Sequence, residues 1–369
     1  MTMVRHNTVH LPLIFVAFLI FIQSGCEDNA SNPDPAESSK EILLGSYEKG
    51  DQSDGGVVML DLEYSGSSVT GRAIIRSRLN EYPYLIVHLK GSRQGEAVQL
   101  GLDTERIPYQ YELTIQATRD LAGDLAGTFF YSIDSLSADF ECAVLDEDAA
   151  AVDTFVDMNV SVLGLAFDDD NIWISTVSAD HILMNTDCSF EDTVTVLMWQ
   201  GAHWTSDALT WNGTHLWGHL PVTISDGGET RNESEIEKFT REGVITDSFG
   251  IPFRTGGLAY DGADLWSLST GSDSLFRFDT LGTILEGIEI GLPDLVDIEY
   301  EDGFFWGIGW FMKRLYKIDP SGEVVRVYHL PGETGIIFPS GIVYDGEHFW
   351  YSFNTTYLDA RIYKITVVQ

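Results

Sequence analysis

The sequence predicts an all-β chain in which a five-bladed β-propeller over residues 149–369 follows a small antiparallel β-barrel or β-sandwich domain over 41–148. Three observations predict it. Five tryptophans, Trp173, Trp217, Trp266, Trp306 and Trp350, stand 44, 49, 40 and 44 residues apart. Each has an aromatic residue six positions before it: Phe167, Trp211, Tyr260, Tyr300 and Tyr344. Apolar residues otherwise fall in short alternating runs, and no amphipathic helical period follows the first 25 residues.

Between each aromatic residue and its tryptophan lies a turn, clearest at Asn212-Gly213, Asp261-Gly262, Asp302-Gly303 and Asp345-Gly346. These dipeptides accept the positive φ of a tight hairpin, so each unit opens with two paired strands. A third strand is expected at 181–184, 235–239, 274–278, 314–318 and 361–365, and a glycine turn then leads into a fourth, as at 324–330. Four strands per 40 to 50 residues is the period of a propeller blade. The last copy reaches Gln369 without a fourth strand, and residues 152–162, a lone strand before the first copy, are expected to close the ring. A sixth blade would require a contribution from the first domain. The five tryptophans are assigned to packing between blades, where large rings fill the wedge between sheets.

The repeated phrases, above all Phe338-Pro339-Ser340-Gly341-Ile342-Val343-Tyr344-Asp345-Gly346, resemble the propeller superfamily that includes NHL-repeat proteins, streptogramin lyase and glutaminyl cyclotransferase. The resemblance covers about 220 residues at structural positions. It implies the fold and carries no catalytic residue across.

In the first domain, 57–64 and 69–75 flank the turn Ser65-Gly66-Ser67-Ser68, and further strands are expected at 84–89, 97–102, 111–117 and 140–145. Gly45-Ser46-Tyr47 is echoed by Gly127-Thr128-Phe129. Hairpins of this length curl into a barrel or sandwich because closure removes exposed edges. The layout resembles lipocalin-like domains of bacterial lipoproteins, which implies either a small apolar ligand inside or a solid core of side chains.

Arg5 and His6 precede an apolar run at 11–22, and small residues follow it, so 1–25 read as an export signal peptide. Ser24-Gly25-Cys26 resembles the lipobox of bacterial lipoproteins, with Gln23 standing where that family has an aliphatic residue. The resemblance implies that Cys26 carries the lipid (palmitate among its acyl chains), that 26–40 form a lipidated tether, and that the protein sits in the bacterial cell envelope facing the periplasm or the exterior. The alternative is a cleaved signal with an incidental cysteine. Cys142 and Cys188 form either a disulfide, which export would permit, or two isolated thiols.

With 57 acidic against 21 basic residues, the net charge of −36 excludes nucleic acid as a partner, because phosphate binding needs clustered Lys and Arg. No cofactor is expected. The run Asp168-Asp169-Asp170-Asn171 could suggest a divalent cation such as Ca²⁺, but it lacks the spacing and terminal Glu of a calcium loop and reads as a hairpin tip.

Propeller ligands meet the face formed by the loops from strand 4 to the next strand 1 and from strand 2 to strand 3. Here these loops carry His203, Trp204, Arg254, Asp294 and Phe338, then His219, Trp310 and Tyr357, a surface suited to a protein, glycan or small-molecule ligand. The insertion at 219–234 is the longest such loop. A lactonase-like site would need carboxylates in the central channel, for which Asp207 and Asp297 stand; a lyase-like site would need a His/Glu/His group, for which only His203 and His219 stand. Neither has diagnostic spacing. Binding or scaffolding is therefore the leading reading, and a propeller hydrolase or lyase acting on an exported small molecule or peptide is the alternative.

Overall fold

The computed structural model describes residues 38–49, 55–77, 84–105, 111–132, 136–177, 180–196, 208–226, 229–331, 338–355 and 359–367. Cys26, His203, Trp204, Asp207 and Tyr357 lie outside the described residues. All described regular structure is strand.

Eight antiparallel strands close into a barrel in chain order: β1 (Ser38–Lys49), β2 (Gly55–Ser65), β3 (Ser68–Ser77), β4 (Tyr84–Gln94), β5 (Ala97–Leu102), β6 (Leu113–Arg119), β7 (Leu125–Tyr131) and β8 (Leu136–Leu145). β1 begins three residues inside the stretch expected to be tether. Inward residues such as Leu60, Val87, Ile115 and Phe140 fill the interior, so the solid-core alternative describes this barrel. The echoed phrases meet there: Tyr47 and Phe129 pack edge to face at 5.2 Å. Their glycines allow the strands to approach, since a Cβ on Gly45 would lie 2.6 Å from the Cys142 Cα.

β9 (Glu147–Ala149) and β10 (Ala151–Met158) lead into five sheets. Blade 1 is β11 (Val162–Phe167), β12 (Ile172–Thr176), β13 (Asp180–Met184) and β14 (Phe190–Thr195). Blade 2 is β15 (Leu209–Trp211), β16 (Leu216–Asp226), β17 (Glu229–Phe239) and β18 (Ile245–Ile251). Blade 3 is β19 (Thr255–Tyr260), β20 (Leu265–Ser269), β21 (Ser274–Phe278) and β22 (Ile284–Glu289). Blade 4 is β23 (Leu295–Glu301), β24 (Phe304–Gly309), β25 (Arg314–Ile318) and β26 (Val324–His329), with β9 added in parallel at its outer edge. Blade 5 is β27 (Phe338–Tyr344), β28 (Phe349–Asn354) and β29 (Ala360–Thr366), completed by β10.

Ring closure is as the sequence predicts, in a shorter strand: β10 pairs with β29 from Ala151↔Thr366 to Met158↔Ala360. Arg361 fastens it, with its Nε 2.6 Å from Asp157 Oδ1 and its guanidinium over the Phe155 ring.

The tryptophans are blade packing, all at most 5 % exposed. Their hairpins show a device beyond packing. Asp168, Asp261 and Asp345, each five residues before its tryptophan, cap the turn through one carboxylate oxygen. The other oxygen accepts the indole N–H of Trp173, Trp266 or Trp350 at 2.8 Å. A basic side chain on the third strand then lies over four of the rings: Lys238 on Trp217, Arg277 on Trp266, Lys317 on Trp306 and Lys364 on Trp350.

One expectation changes and one open alternative is decided. The insertion at 219–234 is not a loop: β16 and β17 stay paired out to Asp226↔Glu229, because Val222, Thr223 and Ile224 continue a β-branched strand. The two cysteines are free thiols, Cys142 inside the barrel and Cys188 half-buried at the turn after β13, and burial pushes the Cys142 thiol up to about 12.

The barrel stands on the propeller. Ile42, Met59 and Ile74 face outward from β1 to β3, yet they are buried against Leu268, Ile290, Leu292 and Met312 of blades 3 and 4. Arg76 forms a buried ion pair with Asp273 and donates to the Gly271 carbonyl. Arg72 pairs with Asp61 of its own barrel and donates to the carbonyls of Phe311 and Met312. Arg314 of β25 lies 3.4 Å from Asp61 and 2.8 Å from Glu147.

Candidate ligand-binding face

The barrel contacts fall on the 2-to-3 loops of blades 3 and 4 and on the connection from β22 to β23, the face on which a ligand was expected. Beside it, among the described residues, a pair of aromatic rings stays open. Trp310, at the end of β24, and Phe338, at the start of β27, stack with centroids 4.8 Å apart and planes 21° apart. They remain 38 % and 36 % exposed.

Asp294 sets the position of Trp310. It is 3 % exposed, so it meets the loop rather than solvent. Its carbonyl accepts the Trp310 N–H at 2.7 Å, and its two carboxylate oxygens accept those of Phe311 and Met312 at 2.7 and 3.0 Å. Three successive backbone donors converge on one residue. The Tyr316 hydroxyl lies 3.3 Å from the same carboxylate. Burial raises the Asp294 carboxyl to about 7, against the opposing effect of these donors and of Arg72.

His219 lies inside β16 rather than in a loop, 1 % exposed, and burial together with the nearby Arg254 guanidinium pushes its imidazole down to about 3. It is a neutral imidazole at ordinary pH. Arg254 is exposed at the loop before β19, where its carbonyl accepts the Thr270 N–H.

The channel carboxylate considered for lactonase-like chemistry has a structural use. β27 pairs only with β28, so its inner edge is open. Asp297 accepts the Ile342 N–H of that edge and its own neighbour's at 2.9 Å each, and the Leu258 N–H bonds to it as well. Glu299 likewise receives the N–H groups of Tyr300 and Tyr344. Burial raises Asp297 well above the usual carboxylate range and Glu299 to about 7.

The acidic hairpin tip is occupied too. Asp169 accepts from the Trp211 indole at 3.0 Å, and Arg241 reaches Asp168 and Asp170 at 2.8 and 3.1 Å. Among the described residues, no group of three or more His, Cys, Asp or Glu side chains is placed to hold a metal ion. No helix among them is long and apolar enough to cross a membrane.

No family model matches the chain, and neither does any curated protein. Solved structures do. A glutaminyl cyclase from Myxococcus xanthus is similar over 61 % of this chain and 100 % of its own, at 16 % identity and a TM-score of 0.47. A gluconolactonase from Xanthomonas campestris covers 74 % and 91 %, at 15 % identity and a TM-score of 0.38. A streptogramin B lyase covers 75 % and 90 %, at 14 % identity and a TM-score of 0.30. The propeller itself follows from the strand pairing.

Proposed function

We propose that the chain is a lipid-anchored binding module of the bacterial cell envelope, in which the Trp310–Phe338 platform receives an exported protein, glycan or small-molecule ligand. The observation that carries this reading is the exposed, stacked ring pair on a loop fixed by three backbone bonds to Asp294. A rigid aromatic surface loses little side-chain entropy when a ligand covers it. The buried acids around it are engaged by backbone N–H groups, which favours recognition over proton transfer. A thermal-shift panel of glycans, peptides and small acids on the exported chain tests the reading: Trp310→Ala should abolish each shift that the wild type shows. A shift unchanged by Trp310→Ala places the ligand elsewhere.

The second reading is a hydrolase or lyase working on an exported small molecule or peptide, as the enzymes named above are propellers too. Arg254, exposed beside the neutral His219, favours it. Turnover that is lost in Arg254→Ala and survives in Trp310→Ala would support this reading against the first.

The anchor is tested separately. Cys26→Ala should release the protein from the membrane fraction, and fractionation identical to wild type would overturn lipidation at that residue.

A further inference from the structure

A groove of about 510 Å³ runs across the outer wall of the barrel over β4 to β7. β6, near its middle, lies across the closed eight-stranded barrel from β2, the central one of the three strands seated on the propeller. The groove therefore faces away from the junction. Its polar side chains stand in cross-strand register. Ser92, Gln99, Gln116 and Thr128 form one row over four strands, about 14 Å long at the usual strand spacing. Gln94 and Thr118 stand in the next row, where they alternate with Ala97 and Ala126, whose short side chains form the hollow. Two features set this wall apart. No residue lining it is charged, in a chain of net charge −36, and acids return on the next strand, where Asp139 pairs with Thr128 and Glu141 with Ala126. Among the described residues, none of the six polar side chains has a hydrogen-bond partner within the fold.

The chemistry of the wall selects its guest. A closed barrel has no free strand edge, so a peptide cannot add here as a further strand. A neutral lining offers no Coulomb attraction to an ion, and covering amides and hydroxyls with an apolar guest costs their hydration. These groups match an uncharged guest dense in hydroxyls, because a glutamine amide both donates and accepts and so pairs with adjacent hydroxyls of a sugar. Phe130 completes the match. It is 40 % exposed and lies two residues past Thr128 on the same face of β7. Its cross-strand neighbours, Thr114 on β6 and then Gly101 on β5, are too small to cover it. An open aromatic ring beside amides suits the C–H face of a sugar. We propose that this groove binds an uncharged glycan chain, with Gln99 and Gln116 pairing to its hydroxyls and Phe130 against one sugar ring. The site is on the barrel, separate from the Trp310–Phe338 platform on the propeller.

The test is titration calorimetry with three uncharged hexasaccharides, maltohexaose, cellohexaose and chitohexaose. The protein is the full exported chain carrying Trp310→Ala, so that the platform contributes nothing. Saturable binding of at least one sugar is expected, at an affinity that does not change as sodium chloride is raised. Gln116→Ala and Phe130→Ala, each added singly to that chain, should weaken it about tenfold, the effect of losing an amide's hydrogen bonds or an aromatic contact. Both side chains are exposed, so the circular dichroism of each variant should match that of the parent. Absence of saturable binding by all three sugars overturns the proposal. Equal affinity in the parent and both variants overturns it as well, since the sugar would then sit elsewhere. So does an affinity that falls as salt rises, because a charged surface would then be the reader.

Discussion

Arg76 of the barrel and Asp273 of blade 3 form an ion pair in which both side chains are buried, at 7 % and 10 % exposure. Asp273 holds a positive φ of 47° at the turn before β21, so the residue that receives the barrel also shapes the loop. Removing one member of a buried pair leaves the other charge without its counterion. Arg76→Ala should cost about 3 kcal/mol, read as a lowered urea midpoint. It should also split a single unfolding transition into two, with the barrel separating from the propeller. One unsplit transition at the wild-type midpoint would contradict this account of the junction.

The clamp of Asp294 on the Trp310 loop leads to a second expectation. Asp294→Ala strands the buried N–H groups of Phe311 and Met312, a loss of about 2 kcal/mol. Hydrogen exchange over 310–316 should accelerate while exchange in blades 1 and 2 stays unchanged, and ligand affinity at the platform should fall with it. Uniform acceleration across the propeller would mean that Asp294 supports the fold at large.

The propeller was legible because its signal is repeated. Trp173 and its four counterparts gave the blade period, and the expected third strands at 274–278 and 314–318 coincide with β21 and β25. The seating of the barrel was not legible, because it rests on single residues far apart in the chain, such as Met59 and Met312 or Arg76 and Asp273. One trace was present: Val57-Val58-Met59-Leu60 is apolar without alternation, the mark of a strand buried on both faces. The candidate face was legible as a set of loops and not as a surface. Asp294 stands in the expected loop, and whether it meets solvent depends on where the barrel lies. The aspartates five residues before Trp173, Trp266 and Trp350 were visible in the repeat, but their bond to the indole needs the hairpin in three dimensions.

That indole bond is missing in blade 2. Asn212 occupies the position of those aspartates, and its Oδ1 caps the turn through the Thr214 and His215 N–H groups. The buried Trp217 Nε1 has no acceptor among the described residues. An amide offers a nitrogen where a carboxylate offers a second oxygen. Asn212→Asp should therefore stabilise the protein by about 1 kcal/mol, and Asp345→Asn should destabilise it by about the same amount, both read from urea midpoints. A destabilising Asn212→Asp would show that the turn, rather than the ring, selects the residue.

Buried and half-buried titratable groups shape how stability depends on pH. Asp294, Glu299 and Glu237 are raised to about 7, and Asp297 well above the usual carboxylate range, with burial the leading cause in each. A carboxyl whose folded value exceeds its unfolded value binds protons more tightly when folded, so its contribution falls as pH rises from the unfolded value through the folded one. His181, packed between Trp173 and Phe239, and His219 act in the opposite sense. Burial lowers them to about 4 and about 3, so their contribution is complete above the usual histidine value and is lost as pH falls toward the lowered ones. The two sets oppose each other in mildly acidic solution. Above the ordinary histidine value of 6.5 these two histidines have finished titrating while the raised carboxyls have not, so the urea midpoint should fall between there and about pH 8. Glu299→Gln should flatten that decline and leave the protein more stable than wild type at about pH 8. A midpoint that rises over the same interval would mean that Asp297 and Glu299 are ionised in the folded protein, and that their bonds to the inner edge of β27 outweigh the cost of burying the charge.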